Sequence, residues 1–217
     1  METTLSILQN IHMALYIAVF VLSVYKYSIY KNTPLRLLPY ILLFTLVTES
    51  LGLLIKEVFL GVNFIVYNIY YLLYFSFFFY VFMKTIEEKK FQRYIKIGAW
   101  LFLLFFLRDL IFTGIFNQSF TITYIFGALT LIFCIILYYI SILQSSLVLV
   151  IKNDLLFWVS VGLFLFYIGY LPIKIIRTWF LYNLGGFFEI LVVIQYSLNL
   201  IMYMFFLLGF LWMKKRS

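Results

Sequence analysis

The chain has 217 residues, of which 66% are hydrophobic and 11% charged, and its 16 Lys+Arg against 8 Asp+Glu give a formal net charge of +8. A membrane-spanning helix takes about 20 mostly apolar residues, so this apolar content supplies roughly seven spans and leaves little over. A soluble catalytic, kinase or nucleic-acid-binding domain is excluded, and the basic excess falls at the ends of apolar runs, as membrane orientation requires.

Charge clusters and turn residues divide the chain into seven predicted helices, at about 5–30, 36–56, 63–86, 92–114, 120–143, 154–177 and 185–213. The first opens on the acidic Met1-Glu2-Thr3-Thr4 and contains Gln9, Asn10 and His12. A cleavable signal peptide begins instead with a basic region, so this helix is expected to be retained. Pro34 cannot continue a helix, whereas Pro39 is tolerated in the first turn of the second. Lys84 to Arg93 separates the third from the fourth, Asn153-Asp154 can cap the sixth, and Gly185-Gly186 marks the start of the seventh. The expected fold is an all-α integral membrane protein, one seven-helix transmembrane domain over 1–217.

Alternate ends of these helices carry very different charge. One side holds Lys26, Lys31, Arg36, Lys84, Lys89, Lys90, Arg93, Lys96, Lys152, Lys214, Lys215 and Arg216, and the other holds Lys56, Arg108, Lys174 and Arg177. Since Lys and Arg cluster in cytoplasmic loops, the amino terminus is expected outside and the carboxyl terminus in the cytoplasm. The basic tail suits an anionic leaflet. The endings Tyr80-Val81-Phe82-Met83-Lys84 and Phe210-Leu211-Trp212-Met213-Lys214 are alike, which fits either a parallel repeat of helices 1–3 and 5–7 or two ordinary interfacial anchors.

Several chemistries lack their residues. The single cysteine, Cys134, permits no intrachain disulfide and no cysteine metal site, and reads as a small hydrophobe facing a neighbouring helix. The single histidine, His12, excludes a two-histidine metal motif and reads as an interfacial side chain. The last predicted helix contains no lysine to carry retinal, and no GxxxG motif supports a glycine-driven dimer. No metal or cofactor is expected, and the oligomeric state stays open.

Ionisable residues inside hydrocarbon cost about 2.5–3.5 kcal/mol on insertion scales, so each marks a candidate site. Glu49 lies near the middle of the second predicted helix, Arg108 and Asp109 interrupt the outer part of the fourth, and Glu189 sits about one turn into the seventh. An intramembrane guanidinium needs a carboxylate partner, which Glu49 or Glu189 could supply. Asn68, Lys174, Arg177, Gln195 and Asn199 extend this polar set, and Tyr67, Tyr71 and Tyr74 share a helix face. The expectation is an aromatic-walled polar cavity opening outward, in which Glu49, Asn68, Tyr71, Arg108, Asp109 and Glu189 contact a ligand or line a translocation route. Arg108 and Asp109 could instead satisfy each other. Pro172, one turn beyond Gly169, removes a hydrogen bond to the Ile168 carbonyl and is a candidate gating hinge.

Thr48-Glu49-Ser50-Leu51-Gly52, Asn63 to Tyr71, and Asp154 to Tyr170 with Phe157-Trp158 and Gly162 resemble small seven-helix bacterial membrane modules, some free-standing and some fused ahead of a sensor histidine kinase. The resemblance spans most of the chain and implies a non-enzymatic, sensor-like module of the bacterial cytoplasmic membrane that acts through a cytoplasmic or membrane partner. One alternative is a small transporter or channel component using Glu49, Arg108 and Glu189. Another is an oligomeric effector of a stress or defence system that alters permeability.

Overall fold

The structure, a computed structural model, describes residues 2–58, 63–145, 151–179 and 187–214. Met1, residues 59–62 and 146–150, Gly185-Gly186 within 180–186, and Lys215-Arg216 within 215–217 lie outside the described residues.

The described chain is helical. In order come α1 (Glu2–Tyr25), the single turn α2 (Tyr27–Tyr30), a 3-10 turn (Pro34–Leu37), α3 (Leu38–Val58), α4 (Phe64–Thr85), α5 (Lys89–Phe112), α6 (Thr121–Leu143), α7 (Leu155–Trp179) and α8 (Phe187–Trp212). The seven long helices follow the predicted ones closely, because the apolar runs are bounded by charge clusters, a proline or short polar and glycine turns such as Thr113-Gly114 and Gln144-Ser145. Asp154 caps α7 as its position requires, its Oδ1 accepting the Leu156 N–H at 3.0 Å.

The first helix differs from its predicted extent. It breaks at Lys26, where the ammonium donates to the Phe210 carbonyl at 2.6 Å and approaches the Leu211 carbonyl at 3.4 Å. These belong to the last turn of α8, so a cation on α1 satisfies carbonyls that α8 leaves unpaired and complements its dipole. The α2 turn is held back against α1 by Tyr30, whose hydroxyl donates to the Ser23 carbonyl at 2.6 Å. Burial pushes that phenol above the ordinary tyrosine range.

Among the described residues, six helical segments are long and apolar enough to cross a membrane: Ile7–Tyr25, Pro34–Gly52, Phe64–Thr85, Thr121–Leu143, Leu155–Thr178 and Phe187–Trp212. The remaining long helix, α5, carries Lys89, Lys90, Arg93 and Lys96 in its first two turns and Arg108-Asp109 near its other end. Its uncharged stretch, 97–107, spans only about 16 Å at a rise of 1.5 Å per residue. Exposed large apolar side chains recur along the helices, among them Ile7, Val21, Leu104 and Met204. An outer surface this apolar suits lipid and would associate in water.

The chain forms two compact units, Met1–Arg36 with Leu147–Ser217, and Leu37–Ser146. In the first, α8 packs on α1 and α7. Gln9 meets Tyr196 and Lys26 meets Phe210, so α1 and α8 run parallel. The α7–α8 seam is close and antiparallel. A methyl group added at Gly162 would lie 2.7 Å from the Met202 carbonyl oxygen, so glycine alone permits this approach. Small residues serve this purpose in membranes, where lipid tails remove the hydrophobic drive for helices to associate.

In the second unit α4 packs on α3, α5 and α6, and α5 packs on α6. Phe75, Phe78, Phe82 and Phe102 are fully buried there. Edge-to-face ring pairs run from Phe75 to Phe102 and to Tyr124, both at 5.6 Å between centroids. Such arrangements match ring edges to ring faces. Cys134 is buried on α6.

Candidate functional site

In the unit of α3–α6, Glu49 reaches across to α4. Its Oε2 accepts a long hydrogen bond, 3.4 Å, from the Tyr67 hydroxyl. Gly52, nearly one turn further along α3, makes room for that hydroxyl, since a methyl group there would lie 2.5 Å from it. Asn63 Nδ2 donates to the Gly52 carbonyl at 3.3 Å, and the Thr45 and Tyr70 hydroxyls pair at 3.2 Å. The α3–α4 contact is therefore a polar ladder of Thr45, Glu49 and Gly52 on α3 against Tyr70, Tyr67 and Asn63 at and along α4.

Arg108 and Asp109 are engaged elsewhere. Arg108 Nη1 pairs with Asp109 Oδ1 at 2.7 Å, the Arg108 side chain being 46% exposed and the Asp109 side chain 4%. The other carboxylate oxygen, Oδ2, accepts the Thr123 backbone N–H at 3.0 Å and the Thr123 hydroxyl at 2.8 Å. Thr123 is the third residue of α6, so Asp109 acts as an N-cap delivered from the preceding helix. Asn68, fully buried on α4, completes this corner. Its Nδ2 donates to the Ile115 and Gln118 carbonyls at 3.1 and 3.0 Å, and its Oδ1 accepts the Phe120 N–H at 3.0 Å. The amide thereby satisfies three backbone groups of the 113–120 loop, in which Gly114 supplies a positive φ of 77°. Tyr71 lies edge-to-face on Tyr124 at 4.9 Å.

The expected convergence of Glu49 and Arg108 on one cavity is thus not what the structure brings together. Glu49 is paired with Tyr67 on the α3 side of α4, and Arg108 with Asp109 at the α5–α6 corner. α4 packs between α3 and α5, so each charge is satisfied by its nearest neighbour. Glu189 belongs to the other unit, exposed in the first turn of α8.

That unit holds a cluster of which the sequence analysis named Gln9, His12 and Asn199 but not Tyr16, Tyr196 or Tyr203. His12, read as interfacial, is buried at 6% exposure. Its ring lies 4.4 Å from Tyr16, 5.5 Å from Tyr196 and 6.3 Å from Tyr203, between centroids. Gln9 Nε2 donates to the Tyr196 hydroxyl at 3.1 Å, and Asn199 Nδ2 to the Tyr16 hydroxyl at 3.0 Å. His12 faces the Asn199 amide across this seam, and neither His12 Nε2 nor Asn199 Oδ1 has another hydrogen-bond partner among the described residues. The spacing signal was present, since His12 and Tyr16 lie four residues apart on α1, and Tyr196, Asn199 and Tyr203 follow at three and four on α8. What was missing was the pairing of the first helix with the last.

At the end of this unit remote from Lys26, Arg177 donates to Gln195 Oε1 and stacks over the Phe188 ring at 4.9 Å. Pro172 lies exposed inside α7, which continues through it to Trp179. Gly169 is packed close to Leu198, a methyl there lying 2.8 Å from it.

Among the described residues, no group of three or more His, Cys, Asp and Glu side chains could hold a metal ion. Comparison of the chain with family models, curated proteins and solved structures finds no match. The fold and side-chain geometry define the class: an all-α protein with helices of membrane-spanning length and apolarity, carrying one satisfied polar corner and one open polar seam.

Proposed function

We propose that the protein is a non-enzymatic, sensor-like regulator of the bacterial cytoplasmic membrane, with seven spans, its amino terminus outside and its carboxyl terminus in the cytoplasm. The observation that carries this reading is the buried polar seam of α1 and α8, in which His12 faces Asn199 among Tyr16, Tyr196 and Tyr203, and His12 Nε2 and Asn199 Oδ1 have no closely bonded partner. A buried polar atom left unpaired costs about 1–3 kcal/mol, and a ligand that gives each of these poorly satisfied atoms a well-placed partner recovers part of that cost on binding. The ligand chemistry follows: a small polar molecule presenting an N–H or O–H donor to the amide oxygen, beside a group that hydrogen-bonds to imidazole. The output passes to a partner protein through the basic segment Lys84–Lys96 and the Lys214 end.

Alternating helix directions and the placement of basic residues support the orientation. Lys26, Lys152 and Lys214 lie at one end of their unit and Lys174 and Arg177 at the other. Lys84 and Lys89 are likewise opposite Arg108. In this reading α5 is the seventh span, with Lys96 snorkelling at one end and Arg108 half-exposed at the other. The likeness of Thr48–Gly52, Asn63–Tyr71 and Asp154–Tyr170 to sensor-kinase-associated modules points the same way.

The test is a thermal-shift panel of small amides, alcohols, amines and carboxylic acids on nanodisc-embedded protein. At least one class is expected to stabilise the wild type, by about 2.7 kcal/mol at a hundredfold excess over Kd, and to lose its effect in both His12→Phe and Asn199→Leu. A panel without response, or a response surviving in both variants, overturns the reading. The second reading, a small transporter or channel component, is favoured by Glu49, whose carboxylate faces a tyrosine rather than a cation. Solute flux into proteoliposomes that Glu49→Gln abolishes would put it first.

A further inference from the structure

The geometry points to a binding site for one anionic phospholipid in the groove between α4 and α5, at the basic end of the second unit. The groove has a volume of about 240 Å³. α4 contributes Ser76, Phe79 and Met83, and α5 contributes Lys96, Ala99 and Trp100. Both sets follow the three-and-four spacing of a single helix face. Ser76 and Ala99 are the small side chains that leave the space open between the two antiparallel helices.

The groove is polar at one end and apolar along its length, which selects its occupant. Lys89, Arg93 and Lys96 stand four and three residues apart on α5, on the face that continues into Trp100, and all are exposed. Among the described residues the ion pair is Arg108–Asp109, so no carboxylate neutralises the Lys96 ammonium. At this end Glu88 accepts the Ser141 hydroxyl at 2.8 Å, and Glu87 beside it is exposed. Trp100 is 68% exposed, one turn deeper than Lys96, the level at which an indole borders headgroup and acyl chain. An anionic headgroup on the Lys89–Arg93–Lys96 stripe places an acyl chain along Met83, Phe79 and Ser76, over about 10 Å of helix.

This inference goes beyond the proposed function and uses none of the residues of the His12–Asn199 seam. The experiment is lipid retention by native mass spectrometry of the full chain, taken from nanodiscs of phosphatidylcholine with phosphatidylglycerol, for wild type, Lys96→Gln, Ala99→Phe and Lys84→Gln. One phosphatidylglycerol per chain is expected to survive delipidation. Lys96→Gln should weaken its retention about fivefold, the factor that ~1 kcal/mol per basic residue represents, and Ala99→Phe should remove it by filling the groove. Lys84→Gln and His12→Phe should leave it unchanged. Equal losses in Lys84→Gln and Lys96→Gln would reduce the effect to diffuse surface attraction and overturn the site. So would displacement by inorganic phosphate alone, equal retention of phosphatidylcholine, or an Ala99→Phe chain that keeps its lipid but loses self-association. Lys96→Gln alters an exposed side chain, so it decides the matter even if Ala99→Phe does not fold.

Discussion

The two units treat buried polar atoms in opposite ways. In the α3–α6 unit, Asn68 makes three hydrogen bonds to backbone groups of the 113–120 loop, and Asp109 makes two to Thr123 in the first turn of α6 and one to the half-exposed Arg108 guanidinium. In the unit of α1, α7 and α8, His12 is buried and Asn199 half-buried, and His12 Nε2 and Asn199 Oδ1 have no partner beyond each other. A saturated polar cluster holds backbone in place and has nothing left to offer a ligand. An open one adds little to stability and is free to respond. The Thr48 hydroxyl is also buried without a partner, but it stands alone on its helix with no second open atom beside it.

That contrast is tested first where the expected effect is largest. Asn68→Leu strips partners from three backbone groups, and at about 1–3 kcal/mol for each group left buried and unpaired it should destabilise the protein by roughly 3 kcal/mol or more. Amide exchange at 115–121 should rise before that of α8; uniform protection across the chain would show that Asn68 is no latch. Gly162→Val, which forces a side chain against the Met202 carbonyl, should cost about 1–3 kcal/mol by overpacking and act on the other unit. An unchanged melting temperature would contradict the close α7–α8 approach.

Asp109→Ala should cost about 1–2 kcal/mol, within the range of a lost N-cap, whereas Asp109→Asn keeps an acceptor for Thr123 and should cost less. Arg108→Gln should cost under about 1 kcal/mol, because its half-exposed guanidinium is hydrated without its partner. If Arg108→Gln proved the more damaging, the pair rather than the cap would be the function of Asp109. Smallest is His12→Phe. It replaces an imidazole whose one facing polar group is Asn199 by a ring of similar shape, and stability should change by no more than about 1 kcal/mol, the net worth of one hydrogen bond. A loss of 2 kcal/mol or more in a denaturation series would place His12 with the satisfied residues and remove the distinction between the units.

Helix α5 shows how far composition carries and where it stops. Its apolar run is readable as a span, but the four basic residues before it and Arg108-Asp109 after it leave it short of the length and hydropathy the other six reach. The sequence places those charges without saying what they touch. The structure puts Asp109 under Thr123, fourteen positions away, and leaves Lys96 at the mouth of a groove. In the same way Asp154 was legible as a cap because it precedes its own helix. The capping of α6 by Asp109 was not, because the cap comes from a neighbouring helix and leaves no local motif.

Composition, charge asymmetry and turn residues by themselves determined an all-α chain with helices of membrane-spanning length and closely where each begins and ends. These are local consequences of backbone hydrogen bonding in an apolar chain, since a helix satisfies its own groups wherever the apolar run allows. The break of the first helix at Lys26, the burial of His12, the separate partners of Glu49 and Arg108, and the division into two units were decided only by tertiary structure. Each depends on which helix faces which, and in an apolar environment that choice rests on glycine-sized gaps and a few polar contacts between residues far apart in sequence.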